Sequence, residues 1–162
     1  MPQHRIRPNH AQLAPELFRK YSEFSLATRQ SGLETSLLNL VTLRASQLNG
    51  CVFCVDMHVK EATLHGERPL RLHHVAVWWE SPLFSARERA ALAWTELLTR
   101  LPPHGVADAD YAAAREQFSE AELAALSFAV VAINGWNRMS IGFAAAPGSL
   151  DAAFGLDKAG LA

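Results

Sequence analysis

The sequence predicts an all-α protein, and three observations carry that expectation. Apolar residues recur at helical spacing in one segment after another, and no stretch shows the strict apolar–polar alternation of a half-buried strand. The segments are separated by helix starts and stops, among them two Ser-x-x-Glu capping boxes. Finally, Gly50-Cys51-Val52-Phe53-Cys54-Val55-Asp56-Met57-His58 holds both cysteines of the chain. As a helix it brings Cys51, Cys54 and His58 into an arc of roughly 60° on one face.

The elements follow in order. Residues 1–10, rich in proline and basic side chains, read as a loose arm. Leu13, Leu17, Tyr21, Phe24 and Leu26 then give an apolar face at mostly helical spacing, predicting a helix over 11–30 that Ser31-Gly32 ends. A second helix is expected over 34–48, stopped by Asn49-Gly50, residues that accept the left-handed conformation after a helix. The cysteine helix follows at once and runs to His65-Gly66, so these two helices must form a tight pair. Residues 69–80 read as a short helix carrying Trp78 and Trp79, broken by Ser81-Pro82. Adjacent tryptophans cannot both face one core, so one of them suits a subunit contact or a wide packing groove.

Ser85-Ala86-Arg87-Glu88 opens a helix that ends before Pro102-Pro103, and Asp108 or Asp110 starts a shorter one through Phe118. Ser119-Glu120-Ala121-Glu122 opens a long helix to about Met139, apolar nearly all round and therefore suited to a central or interface position. The tail at 144–162, with Pro147 and several glycines, reads as loop with at most one short turn. With no internal repeat and no linker, residues 1–162 are expected to form one domain.

Composition excludes several function classes. Lys and Arg total 15 against 16 Asp and Glu, so no basic footprint points to nucleic acid or to an anionic membrane. The longest apolar stretch, Leu123 to Ile133, is interrupted by Ser127 and too short to span a bilayer. Two cysteines are too few for a secreted disulfide scaffold, and the start of the chain lacks the apolar run of a signal peptide, so a reducing cytoplasm is the expected location.

Three readings of the cysteine face compete. A Cys-x-x-Cys pair at a helix start sits where unpaired backbone N–H groups and the helix dipole stabilise thiolate, and a neighbouring imidazole can take or return the proton. That is redox chemistry. Zinc would need four ligands; beyond Cys51, Cys54 and His58 only His65, His73 and His74 are near, none at a regular spacing, so no metal and no cofactor is expected. The plain structural reading is two small cysteines buried on a core helix. One helix earlier, Thr35, Asn39, Thr42 and Ser46 form a single polar stripe, either a solvated face or the lining of the cysteine site. His65 reads as a capping or surface residue; His73, His74 and His104 read as surface. Trp94 and Trp136 read as core rather than substrate platform, and Asn134 and Asn137 as helix-to-helix hydrogen bonds.

The run Leu43-Arg44-Ala45-Ser46-Gln47-Leu48-Asn49-Gly50-Cys51-Val52-Phe53-Cys54-Val55-Asp56-Met57-His58 resembles the core motif of the alkylhydroperoxidase AhpD-like proteins, within the carboxymuconolactone decarboxylase superfamily. The resemblance extends to Gly66-Glu67, to Trp79 through Phe84, to Glu88 through Trp94 and to Ala132 through Arg138, and so covers about residues 11–142. It implies an AhpD-like helical bundle with the cysteine helix packed inside, in a homo-oligomer such as a dimer, trimer or hexamer. The implied activity is a thiol peroxidase in which Cys54 attacks a hydroperoxide, Cys51 resolves the sulfenic acid into a disulfide, His58 is the base, and an external thiol or disulfide reductase restores the pair. The residues by themselves leave the order open: Cys54 lies one turn from His58, whereas Cys51 lies nearer the helix start.

The sequence departs from the family motif at Asn39, which stands where a relay glutamate is usual, and Phe53 stands where a histidine or tyrosine sometimes lies between the cysteines. Asparagine cannot accept a proton at neutral pH, so turnover is expected to be weakened. Glu34 and Glu61 are the nearest carboxylates along the chain. The rival readings are a weakly catalytic redox sensor or partner-binding oligomer, and the superfamily's lactone decarboxylation, which uses no cysteine pair.

Overall fold

The computed structural model describes residues 7–161, so most of the arm expected at 1–10 lies outside the described residues. Nine α-helices are found among the described residues and no strand: α1 (His10–Leu13), α2 (Pro15–Arg29), α3 (Thr35–Asn49), α4 (Val52–Leu64), α5 (Pro69–His74), α6 (Ala86–Thr99), α7 (Asp108–Arg115), α8 (Glu120–Gly142) and α9 (Asp151–Phe154). No single helix among them is long and apolar enough to cross a membrane.

The first expected helix is two. Pro15 takes the first position of α2, where its missing N–H costs nothing, and it drives Ala14 out of the helical region to φ −136°, ψ 63°. The helix expected over 69–80 also stops early, passing from α5 into a 3-10 turn at Val75–Val77. The Arg89 guanidinium takes the carbonyls of Trp78, Trp79 and Ser81 at 3.0, 2.6 and 2.9 Å, acceptors that a continuing helix would use for itself. Both capping boxes form: Ser85 and Glu88 open α6, and Ser119 and Glu122 open α8.

The axis of the fold is α3, which packs against α4, α6 and α8. Its Leu40, Val41, Leu43 and Ala45 are fully buried, so it is apolar on more than one side, as a central helix must be. One core joins α3 to α6, α7 and α8 through Leu37, Val41, Trp94, Ala114 and Leu126, with Phe118 just past α7. A second joins α3 to α4, α5 and α6 through Leu40, Leu43, Ala62, Leu72 and Leu92. Buried amides stitch the centre together: Asn49 Nδ2 donates to Asn134 Oδ1 at 2.9 Å and to Asn137 Oδ1 at 2.8 Å, and Asn137 Nδ2 donates to Ser46 Oγ at 3.0 Å. These are the helix-to-helix bonds expected of Asn134 and Asn137. Trp94 is in the core, with its indole N–H on Ser127 Oγ.

Two features place the cysteines. Gly50 adopts φ 68°, ψ 30°, the left-handed conformation that ends α3, and Cys51 N–H bonds back to the Ser46 carbonyl at 3.0 Å. The chain therefore reverses in one residue and starts α4 against α3. On the other side α2 lies along α8, where Tyr21 Oη donates to the Ala132 carbonyl at 2.9 Å. A Cβ on Gly135 would stand 1.9 Å from Tyr21 Oη, so only glycine allows this approach.

Candidate active site

Cys51 is the N-cap of α4 rather than a residue inside it, with φ −85° and ψ 93°. Its Sγ accepts the Cys54 backbone N–H at 3.3 Å and is joined to Cys54 Sγ in a disulfide, the two Cα atoms being 5.3 Å apart. Both residues are buried. The disulfide sits at the positive end of a helix whose next turn carries His58, also buried.

His58 Nδ1 is 3.1 Å from Glu61 Oε2. Glu61 is in turn clasped by both terminal nitrogens of Arg29, from α2, one of them 2.8 Å from Oε2. Burial by itself would raise the Glu61 carboxyl, but the hydrogen bonds from His58 and Arg29 and the charge of Arg29 outweigh it and hold the group well below the usual carboxylate range. Arg29 is raised above its ordinary value by the hydrogen bond to Glu61, against its own burial. An ionised carboxylate only accepts, so Nδ1 of His58 is the donor of that hydrogen bond.

These groups line a cavity of about 720 Å³ bounded by α2, α3, α4, α8 and the tail. Cys54, His58, Glu61 and Arg29 contribute to its wall; Cys51 does not. The rest is mainly apolar, with Phe18, Leu26, Phe53, Trp136 and Phe154 among the lining residues. Trp136, expected in the core, is half-buried on this wall, T-stacked on Tyr21 and Phe18. His10 Nε2, in the same lining, is the single buried side-chain nitrogen or oxygen without a hydrogen-bond partner among the described residues.

The polar stripe is divided. Thr35, Asn39 and Thr42 line the cavity, while Ser46 is fully buried behind it. Two of its hydroxyls donate within α3 itself: Thr42 Oγ1 to the Leu38 carbonyl at 3.0 Å and Ser46 Oγ to the Thr42 carbonyl at 2.7 Å. Asn39 Nδ2 meets His65 Nδ1 at 3.0 Å, not His58. The histidines weighed as zinc ligands are dispersed: His65 is on Asn39, His74 is half-buried against Ser81 Oγ at 2.9 Å, and His73 is exposed. Among the described residues no group of three or more His, Cys, Asp or Glu has the geometry to hold a metal ion.

Glu61 and Arg29 are what sequence reasoning did not assign. Glu61 had a signal, since a residue three beyond a histidine on one helix faces it. Arg29 had none, because its partner is on another helix.

An all-α fold with a Cys-x-x-Cys pair at the head of a packed helix, its second cysteine on a cavity wall, places the chain in the AhpD-like class. The chain belongs to the carboxymuconolactone decarboxylase family, which it matches over residues 15–97. It is 35% identical to the uncharacterized protein YdfG of Bacillus subtilis over 83% of this chain and 92% of that one. With the uncharacterized protein YnjA of Escherichia coli it shares 40% identity over 48% of its own length and 43% of YnjA. Among solved structures it is similar to Atu0492 of Agrobacterium tumefaciens, described as of unknown function and a candidate antioxidant-defence protein AhpD, at 38% identity and TM-score 0.85, covering 88% of this chain and 98% of that one. The fold also resembles the debrominase Bmp8 in complex with 2,3,4-tribromopyrrole, at 17% identity and TM-score 0.75, over 90% of this chain and 77% of that one.

Proposed function

We propose that this protein is a thiol peroxidase that reduces hydroperoxides through a Cys51–Cys54 disulfide cycle. The observation that carries the reading is that Cys54, His58 and Glu61 open on one apolar-walled cavity while Cys51 stands behind them, bonded to Cys54. A peroxide entering the cavity meets Cys54 first.

In the reduced protein His58 Nε2 takes the Cys54 thiol proton, with Glu61 and Arg29 fixing the imidazole's tautomer and orientation. The thiolate attacks the outer peroxide oxygen; the O–O bond breaks, and the leaving alkoxide takes the proton from His58 as an alcohol. Cys54 is then a sulfenic acid. The Cys51 thiol attacks Cys54 Sγ, water leaves, and the disulfide of this structure results. Two external thiol equivalents return the pair to dithiols and become a disulfide themselves. On that return Cys51 is the better leaving sulfur, because its Sγ accepts the Cys54 N–H at the start of α4.

Asn39 is the observation behind a second reading, a redox sensor that keeps the disulfide but turns over slowly. Glu61 weakens that reading by giving His58 a carboxylate from another position. The homo-oligomer implied by the resemblance belongs to the same proposal, and exposed Phe128 and Val131 on α8 are apolar surface that a second copy would cover.

The test is the mass of reduced, alkylated protein before and after one equivalent of an organic hydroperoxide. Loss of two alkylatable thiols together within seconds is expected. Retention of both after minutes would overturn the peroxidase reading in favour of a slow sensor.

A further inference from the structure

The cavity's two kinds of wall come from different parts of the chain. Its reactive groups, Arg29, Cys54, His58 and Glu61, fall within residues 15–97, which match the family. Much of its apolar wall, including Trp136, Phe143, Leu150, Phe154 and Leu156, lies beyond them.

Four of those residues, Phe143, Leu150, Phe154 and Leu156, sit on the segment after α8, and apolar contact is not all that holds it. The tail forms two short helical turns where the sequence suggested at most one, α9 and a 3-10 turn at Leu156–Ala159, and the second packs on α4. Lys60 lies on α4, two residues past His58, with its side chain only 7% exposed. Its Nζ donates to Asp151 Oδ2 at 2.6 Å and to Asp56 Oδ2 at 2.9 Å. The Gly148 N–H donates to the same Asp56 oxygen at 3.0 Å. A buried ammonium persists only with carboxylate partners, and here one comes from the cysteine helix and the other from the tail. Leu156 then fits beside α4 with 5% exposure, while Phe154 stands at the cavity mouth with 64% exposure.

We infer that residues 145–159 are the specificity element of this site: a strap, buckled to the cysteine helix through Lys60, Asp56 and Asp151, that makes the cavity select ligands with a bulky apolar body over small polar ones. A cavity of about 720 Å³ is far larger than hydrogen peroxide needs, and lies in the range of pockets that enclose organic ligands. The kinetic form of this inference rests on the peroxidase reading; the binding form does not.

Two measurements separate them. The first is the affinity of the oxidised protein for 2-phenyl-2-propanol, the unreactive alcohol counterpart of cumene hydroperoxide, by titration calorimetry. Binding by the wild type, weakened about fivefold or more in both Phe154→Ala and Asp151→Asn, is expected. The second is the ratio of the rates at which cumene hydroperoxide and hydrogen peroxide oxidise the reduced protein, which is expected to exceed ten and to fall about fivefold or more in the same variants. Phe154 is exposed and Asp151 is on the short terminal turn, so neither change threatens the core as Lys60→Met does. If the wild type does not bind the alcohol, or binds it as tightly when either residue is changed, the strap inference is overturned whatever the peroxides do. If the alcohol binds as expected but neither peroxide oxidises the wild type, the peroxidase reading fails and the strap stands as a binding element.

Discussion

Asn39 stands where the resemblance leads one to expect a glutamate, and the carboxylate that faces the candidate base comes from elsewhere on the chain. Glu61 reaches His58 from one turn along the same helix, and Arg29 holds it ionised. Glu61→Gln should therefore lower kcat/KM for hydroperoxide by about ten- to a hundredfold, since a positioned carboxylate partner is part of the acid–base machinery. Restoring a glutamate at 39 should not rescue it, because Asn39 lies on His65; steady-state kinetics of Glu61→Gln with and without Asn39→Glu checks both expectations. The same carboxylate gives a pH signature. Its folded pKa is depressed, so its stabilisation is present above the ordinary carboxylate value of 4.5 and is lost as pH falls below that toward the folded value. Denaturant unfolding should find Glu61→Gln about 1 kcal/mol less stable than wild type at pH 7, with a smaller gap at pH 3, because half-exposed Arg29 is screened by solvent. Cys51, Cys54 and His58 were legible because their spacing is local. Glu61 was equally local, three residues past His58, but Arg29, which holds it in place, becomes visible only when α2 is laid on α4.

At the scale of elements, helix identity was legible and helix company was not. Capping boxes, Asn49-Gly50 and the proline breaks announce where helices begin and end, since these signals act over four or five residues. The break at Ala14 was written in Pro15 all the same, and the early end of α5 depends on an arginine from α6. Trp136 shows the limit most plainly: an aromatic on an apolar helix reads as core until α2 is placed, and it then becomes the wall of a cavity. That placement hinges on one close approach. Gly135→Ala should cost about 2–3 kcal/mol, because its methyl overlaps Tyr21 and forces α2 off α8. In a Tyr21→Ala background the same change should cost at least about 1 kcal/mol less; denaturant midpoints of the four proteins give the coupling.

For the whole molecule, α3 bears the load, and one carboxylate ties it to its neighbours. Glu96 Oε1, on α6, accepts from Arg44 Nε on α3 and from Trp78 Nε1 after the 3-10 turn, both at 2.7 Å. Arg44 is 8% exposed, so Glu96→Ala takes the carboxylate from a buried guanidinium, leaving it the Ala76 carbonyl at 3.3 Å, and takes the acceptor from an indole N–H as well. A loss of about 2–3 kcal/mol is expected, below the full cost of breaking a buried pair because Glu96 is itself partly solvated; thermal or denaturant unfolding measures it. The all-α class and the AhpD-like frame could be read from one dimension of the chain. The cavity could not, because its walls are drawn from residues far apart in sequence.

The most direct test of the central claim is to find which sulfur is oxidised first. Reduced Cys51→Ser and Cys54→Ser proteins would each receive one equivalent of an organic hydroperoxide in the presence of dimedone, and the labelled peptide would be identified by mass. Rapid labelling of Cys54 in Cys51→Ser, with none on Cys51 in Cys54→Ser, is the predicted result. Equal labelling of the two, or both thiols left untouched, would contradict the account.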